Sequence, residues 1–234
     1  MGAAPGYPII LTFGERSIPR GDKMFKWTSV PSLAARLMLL FLCAAAYAQT
    51  SAVPSGSGTS ADPYQIDSLP NLYWLLQTSS IWNDGLYFEQ TSDIDASETS
   101  GWNSDSGWSP IGNTSIKFTG SFNGKGHVIT GLYINRPYTN YMGLFGYTNG
   151  ANIDSLGLED CDITGYRYVG GLVGYNKASS VGYSHVTGSI SGTKSFIGGL
   201  VGSNIHYSTV SNSYATATQQ ATSRGLLMSE GSWG

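Results

Sequence analysis

The side chains able to do chemistry here are carboxylates, three histidines and many tyrosines. Asp93 and Asp95 form one carboxylate pair, and Asp160 and Asp162, beside Glu159, form a second. Residues two apart on a strand share a face, so each pair is spaced for acid–base work. Arg167 or Lys194 would complement it by neutralising a uronate or abstracting a proton. The same residues have a plainer use: Asp93 and Asp95 organise a turn by accepting from backbone amides, and Asp160 and Asp162 solvate a face. The plainer use is preferred, because no carboxylate recurs in an identifiable acid–base pair. His127, His185 and His206 lack Cys or carboxylate partners at ligand spacing, and none sits in His-Glu-x-x-His. The loop Asn103-Ser-Asp-Ser-Gly107 falls short of a calcium loop. No catalytic residue, metal or cofactor is expected.

Tyrosine carries more. Tyr147 and Tyr175 occupy equivalent positions 28 residues apart, with Tyr138, Tyr166, Tyr168 and Tyr183 near them in sequence. Exposed tyrosines among Asn and Ser stack on sugar rings and hydrogen-bond hydroxyls, which makes Tyr147, Tyr175, Tyr168, Tyr183 and Asn176 the candidate binding residues. The competing use is a ladder that stabilises successive coils with no ligand, and it is the first choice on these residues alone.

The elements that must position these residues are repeats. Gly143-Leu144-Phe145-Gly146, Gly171-Leu172-Val173-Gly174 and Gly199-Leu200-Val201-Gly202 are one box at a constant interval of 28 residues. A fixed period in the range of about 20–50 residues marks a solenoid, in which each repeat covers its neighbour's apolar face. Counting back from each box aligns Tyr141, Val169 and Ile197. A second segment recurs from Ile153, Val181 and Val210, the last step being 29, which assigns one inserted residue to the loop holding His206. Parity does not say which box side faces the lumen. The invariance of Leu144, Leu172 and Leu200 assigns it to the leucines, stacked about 4.8 Å apart.

These boxes resemble the GLUG motif, found in tandem in secreted and surface proteins of bacteria, including one family of immunoglobulin A peptidases. The resemblance covers about residues 55–216. It implies an all-β, right-handed parallel β-helix with a short N-terminal capping helix, and a part in surface attachment or display. It brings no active site, since that peptidase's catalytic unit lies outside the repeats.

Composition agrees with many short strands and tight turns: 31 glycines and only 12% charged residues. Lys23, Lys26 and Arg36 precede the apolar run Leu37–Ala46, and Ala46-Tyr-Ala48 offers small residues for a signal peptidase, so cleavage after Ala48 is expected. Residues 24–48 then form the signal peptide, with Met1 and Met24 both open as the start and 1–23 as an upstream extension. The run is short of the roughly 20 apolar residues of a membrane span, so none is expected in the mature chain. After Ala48, seven Lys and Arg face thirteen Asp and Glu, a net charge of −6 that argues against nucleic acid as partner. Cys161 is then the lone cysteine, and an intrachain disulfide is impossible.

Residues 49–61 read as a flexible Ser/Gly/Pro leader and 62–216 as the β-helix. Ser68 is placed to cap a helix with Leu69, Leu72 and Leu76 on one face. Residues 217–234 read as a degenerate or frayed end, where Gly225-Leu-Leu-Met228 looks like a fourth box 26 residues on. A fragment of a longer array is one explanation. Taken together, the sequence predicts a secreted or cell-surface, non-catalytic solenoid that binds glycans or surface proteins of a host or neighbour. The alternatives are a polysaccharide lyase or hydrolase using Asp160 and Asp162, and a structural spacer from a larger surface enzyme.

Overall fold

The computed structural model describes residues 49–221. The expected signal peptide and the box at Gly225 lie outside the described residues. Short apolar segments between glycine- and asparagine-bearing turns fold as strands that wind coil upon coil. The first coil contributes β1 (Tyr64–Ile66) and the helix α1 (Leu69–Gln77), the second β2 (Tyr87–Gln90) and β3 (Ile94–Asp95). The third holds β4 (Ser121–Asn123), β5 (Val128–Thr130) and β6 (Tyr133–Asn135). The boxes lead into the remaining coils: β7 (Phe145–Asn149), β8 (Asn152–Asp154) and β9 (Gly157–Gly165); β10 (Val173–Lys177), β11 (Ser180–Gly182) and β12 (His185–Gly192). The last comprises β13 (Val201–Ile205), β14 (Thr209–Ser211), β15 (Tyr214–Ala215) and β16 (Thr218–Ala221).

Three sheets make up the stack. The first is β1-β2-β4-β8-β11-β14, the second β7-β10-β13 and the third β3-β5-β9-β12-β15, with β6 beside β9 and β16 beside β12. Every pairing between named strands is parallel, as the parallel β-helix implied by the GLUG resemblance requires. Register turns the repeats into columns. Phe88, Phe122, Ile153, Val181 and Val210 face one another in the first sheet, and Ile94, Ile129, Leu158, Val186 and Ala215 in the third. These columns are the core, and all but the last member of each are buried. The extra residue near His206 is absorbed in the turn after β13, so Val181 still pairs with Val210.

The leucines do face inward: Leu144 and Leu172 are 0% exposed and Leu200 8%. Phe145 and Val173 are also fully buried, which an alternating strand does not allow. In the second box the amides of Leu172 and Val173 both donate to Leu200 O, at 3.0 and 3.2 Å, so the chain there advances less than a full pleat and two successive side chains turn inward. The box is a corner leading into a strand.

Polar columns stitch the coils at their corners. Ser179 Oγ accepts from the Ala151 amide of the preceding coil and donates to Lys177 O of its own, and Ser208 Oγ repeats this with the Ser179 amide and Ile205 O. Ser184 and Ser213 do the same at the next corner, taking the amides of Leu156 and Ser184. Each buried turn amide thus finds an acceptor one coil further on.

At the N-terminal end two expectations change. Ser68 has the extended backbone of an N-cap, yet its hydroxyl donates to Asn71 Oδ1 at 2.9 Å and does not reach a helix amide. Asn71 instead folds back, accepting from the Asp67 amide at 3.3 Å. Leu69, Leu72, Leu75 and Leu76 of α1 join the core, and Trp74 and Tyr73 pack edge-on against Tyr64 and Trp102. The segment 49–61, expected as a flexible leader, is tied down: Ala52 N donates to Pro70 O, Gln65 N to Ser55 O and Tyr87 N to Gly58 O. Its glycines serve close packing, since Tyr64 lies directly over Gly58.

Candidate functional site

On the outer side of the second sheet, aromatic rings stack from coil to coil. Tyr147 of β7 and Tyr175 of β10 are register partners with ring centroids 4.7 Å apart. Beside them runs a second column, Tyr141, Tyr168 and Phe196, with centroid spacings of 5.0 and 5.0 Å and nearly parallel rings. Tyr141 and Tyr168 contact Tyr175 edge-on at 5.7 and 5.1 Å, joining the two columns into one face. Offset and edge-to-face pairs are each worth about 0.5–1.5 kcal/mol beyond burial. Burial, followed by the neighbouring phenols, raises the Tyr147 and Tyr175 hydroxyls above the ordinary tyrosine value.

The second column is built on unusual backbone. Tyr141, Tyr168 and Phe196 have φ of 65°, 59° and 66°, a left-handed conformation that bulky residues rarely adopt. Its recurrence at one corner of three coils shows that the stack holds it against that cost. Counting residues back from each box had aligned Tyr141 with Val169 and Ile197. In the structure Met142 pairs with Val169, and Val169 with Ile197, so Tyr141 matches Tyr168 and Phe196. The later boxes carry one more glycine, Gly170-Gly171 and Gly198-Gly199 against Gly143 alone, and that difference is the signal a fixed count overlooks.

Cations edge this face. The Arg167 guanidinium lies 4.8 Å from the Tyr168 ring and 5.0 Å from that of Phe196, and Lys117 Nζ is 5.8 Å from Tyr147. An open groove of about 630 Å³ adjoins it between loops 110–114 and 138–142, lined by Tyr141 and by Tyr138, itself 88% exposed.

Of the five candidate binding residues, Tyr147, Tyr175 and Tyr168 come together here. Tyr183 does not join the stacks; it projects from the turn after β11. Asn176 is a correction: it is fully buried, accepting from Thr148 Oγ1 at 2.7 Å and donating to Asn204 Oδ1 at 2.8 Å. An amide satisfied within the stack has nothing to offer a ligand, and the Asn176–Asn204 match is a structural ladder.

The carboxylates go elsewhere. Asp93 accepts from the Val128 amide at 3.0 Å and from His127 Nδ1 at 3.1 Å, and Asp95 from the Ser97 amide at 2.9 Å. These bonds, Val128 then His127 for Asp93 and Ser97 for Asp95, hold both below the ordinary aspartate value. A bulge in β9 sets Asp160 in left-handed backbone, φ 50°, and leaves it and Asp162 exposed. Neither forms an ion pair with Arg167 or Lys194 among the described residues. His185 pairs with Glu159 at 3.0 Å and stacks on Tyr214, and His206 sits in an exposed turn. Among the described residues no three His, Cys, Asp or Glu are grouped to hold a metal ion. Cys161 is buried, donates to Thr187 O at 3.2 Å, and its thiol is pushed up to about 12, chiefly by burial. No described helix is long and apolar enough to cross a membrane.

Comparison with known proteins gives three results. The GLUG motif matches residues 165–191 and 197–218. Halomucin of Haloquadratum walsbyi is 37% identical over 158 residues, 65% of this chain and 2% of halomucin. A protein designated a Gly-rich membrane protein, from Evansella cellulosilytica, is 35% identical over 122 residues, 49% of this chain and 13% of its own length. The chain therefore spans a small part of these curated relatives. Among solved structures, a protein described as an immunoglobulin A1 protease from Bacteroides ovatus superposes with a TM-score of 0.57 at 21% identity, over 73% of this chain and 52% of that one. At that identity the likeness is one of fold.

Proposed function

Starting from a GLUG-repeat protein folded as a parallel β-helix, we propose that it is a non-catalytic module of a secreted or cell-surface protein that attaches by binding glycan along its aromatic face. The observation carrying this reading is the joined double column, Tyr147 and Tyr175 beside Tyr141, Tyr168 and Phe196, partly exposed and bordered by a groove. Ring faces at coil spacing stack on successive sugars, and phenol hydroxyls bond their hydroxyl groups. The names of the two relatives, a mucin and a membrane protein, support a surface setting.

The test is a glycan and polysaccharide array probed with the full chain, read for retention and for released products. Retention that falls at least roughly tenfold in Tyr147→Ala/Tyr175→Ala is expected, a loss in keeping with two rings removed. Product release abolished by Asp162→Asn would replace this reading with a carbohydrate-active enzyme. Folded protein giving neither signal would leave the spacer.

A further inference from the structure

The glycan face is electrically unlike the rest of the chain. Of the twelve Asp and Glu among the described residues, only Asp154, Glu159, Asp160 and Asp162 follow residue 110. Those four sit on β8 and β9, in the first and third sheets. The segments that build the second sheet and its flanking turns, 110–118, 136–149, 165–180 and 192–209, contain no Asp or Glu. They do contain Lys117, Arg136, Arg167, Lys177 and Lys194. Arg136 is committed to the fold, donating to Trp108 O and Ser109 Oγ. The other four form no ion pair among the described residues, so their charge faces outward uncompensated.

Their placement is specific. Arg167 lies over Tyr168 and Phe196, which fixes its plane while its N–H edge has no hydrogen-bond acceptor among the described residues. Lys117 lies over Tyr147 and donates to Thr114 O in the groove wall. Lys177 stands two residues beyond Tyr175 in β10, where strand alternation gives both the same side. Lys194 stands two residues before Phe196 in an exposed turn. A neutral sugar has no use for this arrangement. A carboxylate or sulfate on a sugar ring seated against the tyrosines meets a flat guanidinium and flanking ammonium groups at its edge.

We infer that the ligand of this face is an anionic polysaccharide, a polyuronate or sulfated glycan, held by ring stacking with Arg167 and Lys117, Lys177 and Lys194 on its acidic groups. This rests on the glycan reading above and adds the substrate class. It also reconciles a chain of negative overall charge with an acidic ligand, since the acids lie on other sheets and are screened within about a Debye length.

The full chain is titrated with polygalacturonate, heparin, dextran and, as a charge-only control, polyglutamate, at about 50 and 500 mM salt, where screening differs about threefold in length. Expected is binding of an acidic polysaccharide at least roughly tenfold tighter than dextran or polyglutamate, weakened at high salt. Arg167→Gln/Lys177→Gln/Lys194→Gln should abolish that preference while leaving the thermal melt unchanged, and Arg167→Lys should retain part of it. Equal binding of dextran would overturn the anionic inference and keep the glycan reading. Equal binding of polyglutamate would overturn it as mere charge attraction, and an unaffected triple variant would overturn it by showing that these cations do not hold the ligand. Binding of no polysaccharide would sink both.

Discussion

The last glycine of each box makes the sharpest test of the coil geometry. A Cβ built on Gly174 would lie 2.8 Å from Met142 N, Tyr141 C and Tyr168 O, three backbone atoms at once, where ordinary contact begins at 3.4 Å. The shortfall of about 0.6 Å cannot be relieved by a rotamer change, because the Tyr141–Met142 turn is itself held by Tyr141 N to Arg167 O and Met142 N to Tyr168 O, both 3.0 Å. Gly174→Ala must therefore push the turn outward, straining both bonds and the Tyr141–Tyr168 stack, at roughly 3 kcal/mol. For a domain of this size that is a fall of roughly 6–12 °C in the melting midpoint. Two controls separate crowding from backbone conformation. Gly150 has φ 76° with nothing within 4 Å of its Cβ position, so Gly150→Ala carries only a left-handed penalty of roughly 1 kcal/mol. Gly182 lacks a left-handed φ, and its Cβ would meet side-chain ends rather than backbone, Asp154 Oδ1 at 2.9 Å and Ser211 Oγ at 3.8 Å. Thermal melts by circular dichroism should rank the losses 174, then 150, then 182. Equal midpoints for Gly174→Ala and Gly182→Ala would refute close backbone approach as the reason for the box glycine.

Three more predictions follow from the core and its polar partners. Leu172→Ala should cost about 2–5 kcal/mol in a denaturant melt, and a loss under about 1 kcal/mol would contradict its place in the lumen. In a Cys43→Ser chain, Cys161 should resist a disulfide reagent at neutral pH and react only on unfolding. Its raised pKa favours the neutral thiol, a contribution complete below the ordinary thiol value and lost as pH climbs through about 12; rapid native labelling would contradict this. Asp93 is depressed in the fold, so its contribution is complete above the ordinary aspartate value of about 4 and disappears as pH falls through the lower folded value. The gap in midpoint between the natural chain and Asp93→Asn should close over that acid range, and a constant gap would argue against the Val128 and His127 bonds.

What the sequence disclosed and what it hid have separate physical causes. The 28-residue box interval was enough to predict a stacked solenoid, and the invariance of its leucines to turn them inward, while the parallel β-helix was implied by the resemblance to the GLUG motif. Tyr147 and Tyr175 were visible through the same interval. The Tyr141–Tyr168–Phe196 column was not, since one missing glycine before Leu144 shifts the count, and only hydrogen-bond register restores it. Asn176 looked like a ligand group because a polar residue beside exposed tyrosines reads as surface, whereas Thr148 and Asn204 satisfy it inside. The serine bridges at the corners were hidden by their distance: partner amide and hydroxyl are 28 or 29 residues apart.

Those serine bridges also give the molecule a direction under load. The amides of Ala151, Leu156, Ser179 and Ser184 lean on a hydroxyl one coil nearer the C-terminus, and the strand bonds between coils run along the same axis. Tension applied from end to end therefore stresses the joints between coils in series, and those between the box-bearing coils share one construction. The coils between β8 and β14 are expected to give way one at a time, each releasing about 28 residues and roughly 95 Å of slack. The box-bearing coils then lengthen the chain in near-equal increments, so this part of the molecule is expected to yield stepwise under load while the coils that remain wound keep their tyrosine face.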